Sequence, residues 1–195
     1  MYILANVPKD ILSKLDEEIN KPHLEKHNKH LTGNIKKELL IPNAKKYLIN
    51  FLGLVIEKHR EKFDTYRNIS EMCDKDDLTL ELVSVWANFQ KKYEFNPIHS
   101  HGGMYSFVIW HKIPYLIDDE VKHFPDIKRE FCKAGNFAFV FTNETGGVVT
   151  EDLPVDKTWE GRIALFPAKL SHVVYPFYSS NEERITISGN FVLKV

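Results

Sequence analysis

The spacing of hydrophobic residues changes near residue 78. Before that point, apolar residues recur at intervals of three and four, which predicts helices over residues 8–20 and 42–63. Beyond it, hydrophobic and polar positions alternate within short segments separated by Gly, Pro and Asn, a pattern typical of β-strands. The predicted strands cover residues 78–89, 104–110, 137–141, 162–166, 171–175 and 184–193. Because no helical crossovers separate them, they predict an antiparallel β-sandwich or jelly roll.

The change of pattern also predicts how the chain is organised. A length of 195 residues is typical of one domain. We therefore expect a single mainly β domain with N-terminal helices. In this interpretation residues 1–72 form a helical support region, and residues 78–195 form the jelly-roll core.

Composition narrows the function classes. The formal net charge is −1, so no overall field favours nucleic acid or an anionic membrane surface. No apolar run approaches the roughly 18 residues needed to span a bilayer, and the N-terminus lacks the pattern of a signal peptide. Cys73 and Cys132 form neither a disulfide framework nor a zinc cluster. We expect a cytoplasmic protein.

Two histidines stand close together in the segment from residue 96 to residue 103, beside a proline and two glycines. In extended backbone, residues i and i+2 point to the same side, so His99 and His101 can reach one point. They would form half of a metal site. A lone histidine in an apolar strand, such as His172, is more often a core residue than a ligand. Combined with the upstream pair, His172 becomes the candidate third ligand.

The last predicted strand begins with Arg184. Because an arginine stays charged, it must be paired or solvated. One interpretation is a salt bridge to an acid such as Glu182 or Glu183. The other is a guanidinium directed into the β-sandwich that binds a carboxylate bidentately. Thr186 would share the same face and add a hydroxyl donor.

Taken together, these motifs resemble a known family. They are Trp86-x-Asn88, Asn96-Pro97-x-His99-x-His101, Ser106, Ser171-His172 and Arg184-x-Thr186-x-Ser188-x-Asn190-Phe191. Their order is similar to that of the Fe(II)/2-oxoglutarate-dependent oxygenases of the marine phage and bacterial type, which are relatives of the prolyl hydroxylases on the double-stranded β-helix fold. The resemblance covers about residues 78–193.

The resemblance implies a dioxygenase that hydroxylates a substrate while converting 2-oxoglutarate and O2 to succinate and CO2. It implies a set of site residues. Fe(II) would be bound by His99, His101 and His172, 2-oxoglutarate by Arg184, Thr186, Ser106 and Asn88, and the pocket would be lined by Tyr105 and Trp110.

Three positions depart from the wider superfamily. His101 stands where an Asp or Glu is usual, and three neutral imidazoles leave the metal site with one more positive charge. His101 either ligates the metal in place of the carboxylate or lies outside its ligands. Phe107 stands where a small Gly is usual and Trp110 where a Tyr is usual, and both changes would narrow the pocket.

Two alternatives stay open at this stage. The segment from Gly161 to His172 nearly fits the second cupin motif, which would favour a cupin-type metal dioxygenase or isomerase. Arg184 discriminates between the two, because only an oxoglutarate enzyme requires it. The other alternative is a catalytically inactive β-sandwich that binds a partner.

The sequence does not identify the substrate. A protein residue, a nucleobase and a small metabolite all remain candidates. No membrane or nucleic-acid partner is indicated, and the oligomeric state, including a homodimer, stays open.

Overall fold

The structure is a computed structural model and describes residues 1–27, 33–63 and 79–194. Cys73 and the first residue of the first predicted strand fall outside these ranges. The strands are β1 (Ile3–Asn6), β2 (Lys37–Leu40), β3 (Thr79–Gln90), β4 (Asn96–His99), β5 (Tyr105–Lys112), β6 (Phe137–Thr142), β7 (Val148–Leu153), β8 (Arg162–Pro167), β9 (Ser171–Val174) and β10 (Arg184–Lys194). The α-helices are α1 (Lys9–Ile19), α2 (Lys45–Phe63) and α3 (Ile117–Val121).

The strands form two antiparallel sheets. The larger sheet has six strands in the order β1-β8-β5-β10-β3-β2, and the smaller has four in the order β4-β9-β6-β7. Most strands that are neighbours in a sheet are distant in the sequence, as in a jelly roll, while β6 and β7 are joined by a short connection. The predicted mainly β, jelly-roll fold is therefore confirmed.

The larger sheet lies between two hydrophobic cores. On one side, α1 and α2 contribute Ile11, Leu15, Leu48 and Leu52 to a core shared with Ile109 and other residues of the sheet. On the other side, Trp110, Phe137, Phe139 and Phe166 fill the space between the two sheets. Because β5 is covered on both faces, all its residues from Tyr105 to Trp110 are buried.

The N-terminal part differs from the predicted helical support in one respect. It also supplies two strands, β1 paired with β8 and β2 paired with β3, which become the outer strands of the larger sheet. Both are four residues long, too short for a period of two to stand out from the neighbouring helical pattern. Among the helices of the described ranges, none is long and apolar enough to cross a membrane.

Candidate active site

Three histidines meet at one end of the space between the sheets. His99 ends β4 and pairs across the sheet with His172 in β9. His101 follows β4, and its backbone N–H donates to the Ala168 carbonyl at 2.8 Å. The nitrogens that the three imidazoles offer lie within 4.8 Å of one another. The structure thus brings together the three histidines that the sequence proposed.

Hydrogen bonds hold two of the rings in one tautomer. His99 Nδ1 lies 2.7 Å from the Pro97 carbonyl oxygen, and His172 Nδ1 lies 3.0 Å from the Leu170 carbonyl oxygen. A carbonyl can only accept, so each Nδ1 carries the hydrogen and each Nε2 keeps a free lone pair. Metal-binding histidines are commonly oriented by such a bond from the second ring nitrogen.

Burial keeps the cluster uncharged. It lowers the pKa of His172 to about 3, with a further contribution from the neighbouring His99. It also lowers the pKa of His101 to about 4, again with a contribution from His99, and it lowers the pKa of His99. All three imidazoles are therefore neutral at pH 7, the form that ligates metals.

This donor set fits a divalent first-row transition metal. Imidazole nitrogen suits Fe, Zn, Cu and Ni, and three protein ligands leave positions open for other molecules. Within the described ranges, no carboxylate joins the three histidines. A metal bound here would keep more positive charge than it does with two histidines and a carboxylate.

The histidines open into a cavity of about 640 Å³, its mouth included. Ile35, Trp86, Trp110, Phe137, Phe166 and Val174 form its apolar walls, and Asn88, Gln90, Asn96, Arg184, Thr186 and Ser188 add polar groups. A wall that combines apolar side chains with fixed polar groups is typical of small-molecule sites. Ile35 comes from the N-terminal part, so that part helps to form the cavity.

The polar groups lie on one face of β10 and β3. Because side chains alternate along a strand, Arg184, Thr186 and Ser188 all point into the cavity. Thr186 pairs in register with Asn88 of β3. The Asn88 Nδ2 group donates to the Thr186 hydroxyl at 3.1 Å and lies 3.4 Å from the Ser188 hydroxyl.

Trp86 fixes the orientation of the Asn88 amide. The indole N–H donates to Asn88 Oδ1 at 3.1 Å, so the amide oxygen faces Trp86 and the Nδ2 group faces β10. Thr186 Oγ1 accepts the hydrogen bond from Asn88. The hydroxyl hydrogen of Thr186 has no acceptor among the residues that the structure describes, and it is available to a ligand in the cavity.

Arg184 lines the cavity and is 2% exposed. Its Nε donates to Gln90 Oε1 at 3.0 Å, and its Nη2 donates to the same oxygen. Its Nη1 donates to the Tyr115 hydroxyl at 2.6 Å and to the Gly135 carbonyl at 3.0 Å. The weakest contact joins Nη2 to the Tyr175 carbonyl at 3.3 Å.

All these acceptors are neutral. The salt bridge considered for Arg184 is absent in the described part of the chain, and Glu182 pairs with Lys112 instead, at 2.7 Å. A buried guanidinium without a counterion is unusual, because an isolated buried charge is costly. A ligand carboxylate in the cavity would supply the missing negative charge.

Two of the expected residues do not line the cavity. Tyr105 lies on the face of β5 toward the helices, where its ring packs 5.1 Å from that of His59. Ser106 lies on the opposite face, but its hydroxyl donates to Asn190 Oδ1 at 2.7 Å and it is not part of the cavity wall. The structure therefore corrects the expected pocket role of Tyr105 and places Ser106 outside the cavity wall. Trp110 does line the cavity.

Sequence reasoning missed the residues that hold Arg184. Gln90 pairs in register with Arg184, and the Tyr115 hydroxyl bridges Arg184 and the Gly135 carbonyl. A signal for Gln90 was present, because it stands two residues after Asn88 and shares its face. Tyr115 lies outside any strand, so no periodicity indicated it.

Comparisons with known proteins agree with this geometry. A model of the family described as "Putative 2OG-Fe(II) oxygenase" matches residues 84–190, more than half of the chain. No curated protein sequence gives a match.

Solved structures share the fold. A Pseudomonas putida prolyl-4-hydroxylase aligns with a TM-score of 0.55 and 16% identity, over 100% of this chain and 93% of that one. A 2OG-Fe(II) oxygenase family oxidoreductase from Burkholderia pseudomallei aligns with a TM-score of 0.53 and 12% identity, over 98% of this chain and 84% of that one.

Proposed function

The chain belongs to the 2OG-Fe(II) oxygenase family, and from this membership we propose that His99, His101 and His172 hold its Fe(II). The protein is an enzyme that uses Fe(II), 2-oxoglutarate and O2. We further propose that Arg184 and Thr186 bind the distal carboxylate of 2-oxoglutarate.

One observation carries the proposal. A single cavity combines three neutral imidazoles with a buried guanidinium that has no carboxylate partner in the described ranges. The imidazoles suit a metal, and the guanidinium suits an anion. A molecule with a chelating group at one end and a carboxylate at the other matches both, and 2-oxoglutarate has this form.

The protein residues perform binding, orientation and exclusion of water. The Pro97 and Leu170 carbonyls hold His99 and His172 with Nε2 available. Arg184 would attract the distal carboxylate, and the Thr186 hydroxyl would donate to it. When bound, the metal together with 2-oxoglutarate supplies the activation of O2.

Apolar side chains of the cavity would keep water from the reacting groups. Trp110, Phe137 and Val174 line the same cavity as the histidines and Arg184. Low solvent access strengthens the attraction between Arg184 and a carboxylate, because the surroundings screen charge less than water does. It also protects reactive species from side reactions.

We propose hydroxylation of a substrate, with succinate and CO2 formed from 2-oxoglutarate. The substrate class stays open, since identities of 16% and 12% to the solved oxygenases carry the fold alone. Family membership favours this activity over the cupin and inactive alternatives. The buried Arg184 favours it over a cupin as well, because a cupin has no need of that charge.

Metal binding and turnover test the proposal separately. Protein loaded anaerobically with Fe(II) should bind about one equivalent and convert 2-oxoglutarate to succinate. His172→Ala should lose metal, because one of three ligands is removed. His123→Ala is the matched control, since His123 is exposed and outside the cavity. Equal metal content in both variants would refute the ligand assignment.

A second variant tests the carboxylate role. Arg184→Met should raise the Kd for 2-oxoglutarate by about ten- to a hundredfold, because a charge-assisted hydrogen bond to the carboxylate is lost. If Arg184→Met fails to fold, the affinity is measured with Arg184→Lys, which keeps the charge. Unchanged affinity in a folded variant would show that Arg184 does not bind the cosubstrate.

A further inference from the structure

We propose that Gln90 is a positioning residue that makes the cavity selective for a 2-oxo acid with a distal carboxylate. It would do so by holding Arg184 in place while leaving its positive charge uncancelled. The inference rests on the proposed function, in which Arg184 binds that carboxylate. Gln90 was not among the residues expected from the sequence.

The contact geometry places Gln90 where an acid would ordinarily stand. Its Oε1 accepts from both Nε and Nη2 of Arg184, with the Nε contact at 3.0 Å. Arg184 and Gln90 are register partners on adjacent strands, so the contact is built into the sheet. Nε and Nη2 are two parallel N–H donors on one edge of the guanidinium. A carboxylate usually binds at such an edge.

A second hydrogen bond fixes the orientation of the amide. Gln90 Nε2 donates to the Glu94 carbonyl at 2.6 Å, so its Oε1 must face Arg184. A flipped amide would place N–H groups against the N–H groups of the guanidinium and lose both sets of bonds. The side chain is 2% exposed.

Charge is the difference between an amide and an acid at this position. The amide oxygen orients the guanidinium through hydrogen bonds and carries no net charge. The nearby acid is occupied elsewhere, since Glu94 Oε2 accepts from the Lys91 backbone N–H at 2.9 Å. Arg184 therefore keeps its full charge for a ligand that enters the cavity.

The longest contact of Arg184 marks the donor that the ligand would take. Of the bonds made by Arg184, the one to the Tyr175 carbonyl is the longest, at 3.3 Å. A ligand carboxylate can take over this donor at little cost, while Gln90 and Tyr115 keep the guanidinium in position. Thr186, two residues along β10, offers its hydroxyl on the same face.

Gln90→Glu tests the inference with almost no change of shape. The introduced carboxylate would pair with Arg184 and compete with the ligand. We expect the Kd of the Fe(II)-loaded enzyme for 2-oxoglutarate to rise about ten- to a hundredfold, the range for a lost hydrogen bond to a charged group. KM should rise in parallel while kcat changes little, and metal content should stay at the wild-type value.

A second ligand distinguishes competition by the introduced carboxylate from a general disturbance of the structure. 2-Oxopentanoate has the same chain length but lacks the distal carboxylate, so its Kd should not rise in the Gln90→Glu variant. Binding can be followed anaerobically by calorimetry. Because Gln90 is the only glutamine in the chain, the matched control is Asn143→Asp. Asn143 Oδ1 only accepts, from Thr145 and Gly147, so an aspartate keeps these bonds in an exposed turn.

The outcomes separate this inference from the proposed function. If Arg184→Met weakens 2-oxoglutarate binding and Gln90→Glu does not, the role of Gln90 is wrong and that of Arg184 stands. If Gln90→Glu weakens both ligands equally, the change is structural and the inference is overturned. If Arg184→Met leaves binding unchanged, the carboxylate site itself is wrong.

Discussion

Removing one hydroxyl from the cavity tests how the cosubstrate is bound. In Thr186→Val, a methyl group replaces the hydroxyl at nearly the same volume. We predict that the variant binds 2-oxoglutarate more weakly while its metal content is unchanged. The reason is the fixed direction of the hydroxyl, whose oxygen accepts from Asn88 Nδ2 and whose hydrogen is left for the ligand.

The expected change in Kd follows from the one hydrogen bond that the variant loses. A hydrogen bond to a charged group contributes about 1.5–3 kcal/mol, which corresponds to roughly a ten- to hundredfold change in Kd. The cost to folding should be smaller, about 0.5–1.5 kcal/mol for one neutral bond. Asn88 Nδ2 still has the Ser188 hydroxyl within 3.4 Å, so it is not left without a partner.

Calorimetry with Fe(II)-loaded protein under anaerobic conditions measures the affinity, and succinate formation gives KM and kcat. KM should rise with Kd, and kcat should change little at saturation. Thr186→Ser is the matched control, because it keeps the hydroxyl and loses only the methyl group. It should bind 2-oxoglutarate close to the wild-type affinity.

Two results would refute this reasoning. If Thr186→Val binds 2-oxoglutarate as tightly as the wild type, the hydroxyl makes no contact with the ligand. If Thr186→Ser is weakened as much as Thr186→Val, the effect comes from packing of the methyl group. In either case the donor role of Thr186 would be abandoned.

Two further predictions concern stability and pH. Burial, together with the charge of Glu94, raises the pKa of Glu38 to about 7, so the wild type loses stability as pH rises from about 4.5 to 7. Glu38→Gln should therefore be more stable than the wild type at pH 8, by about 3 kcal/mol at most. At pH 4.5 the two proteins should have similar stability. Urea unfolding measures both differences, and equal differences at the two pH values would contradict the prediction. Burial lowers the pKa of His59, so the wild type loses stability as pH falls below about 6.5, where only the unfolded chain takes up the proton. His59→Phe should gain stability relative to the wild type as pH falls from 7.5 to 5.5, by up to about 1.4 kcal/mol per pH unit; a pH-independent difference would show that His59 does not carry this effect.

Local pattern was enough to predict much of the fold and part of the site. The alternation in β10 placed Arg184 and Thr186 on one face, and the same period brought His99 and His101 together. These relations depend only on neighbours along one strand. The helices α1 and α2 were predicted for the same reason, because their apolar stripes repeat within a few residues.

The central strand β5 shows where local pattern fails. Every residue from Tyr105 to Trp110 is apolar or buried, since helices cover one face and the second sheet covers the other. A strand buried on both sides loses the alternation that would reveal its orientation. The sequence therefore could not tell that Trp110 faces the cavity and that Tyr105 faces the helices.

By itself, the sequence determined the mainly β architecture, the candidate metal ligands and the presence of a lone arginine on a core strand. Only the tertiary structure decided what surrounds that arginine. Gln90 meets Arg184 through strand register, and Tyr115 reaches it from a loop. Contacts between residues far apart in sequence depend on how strands pair and sheets stack, and these arrangements leave no periodic trace along the chain.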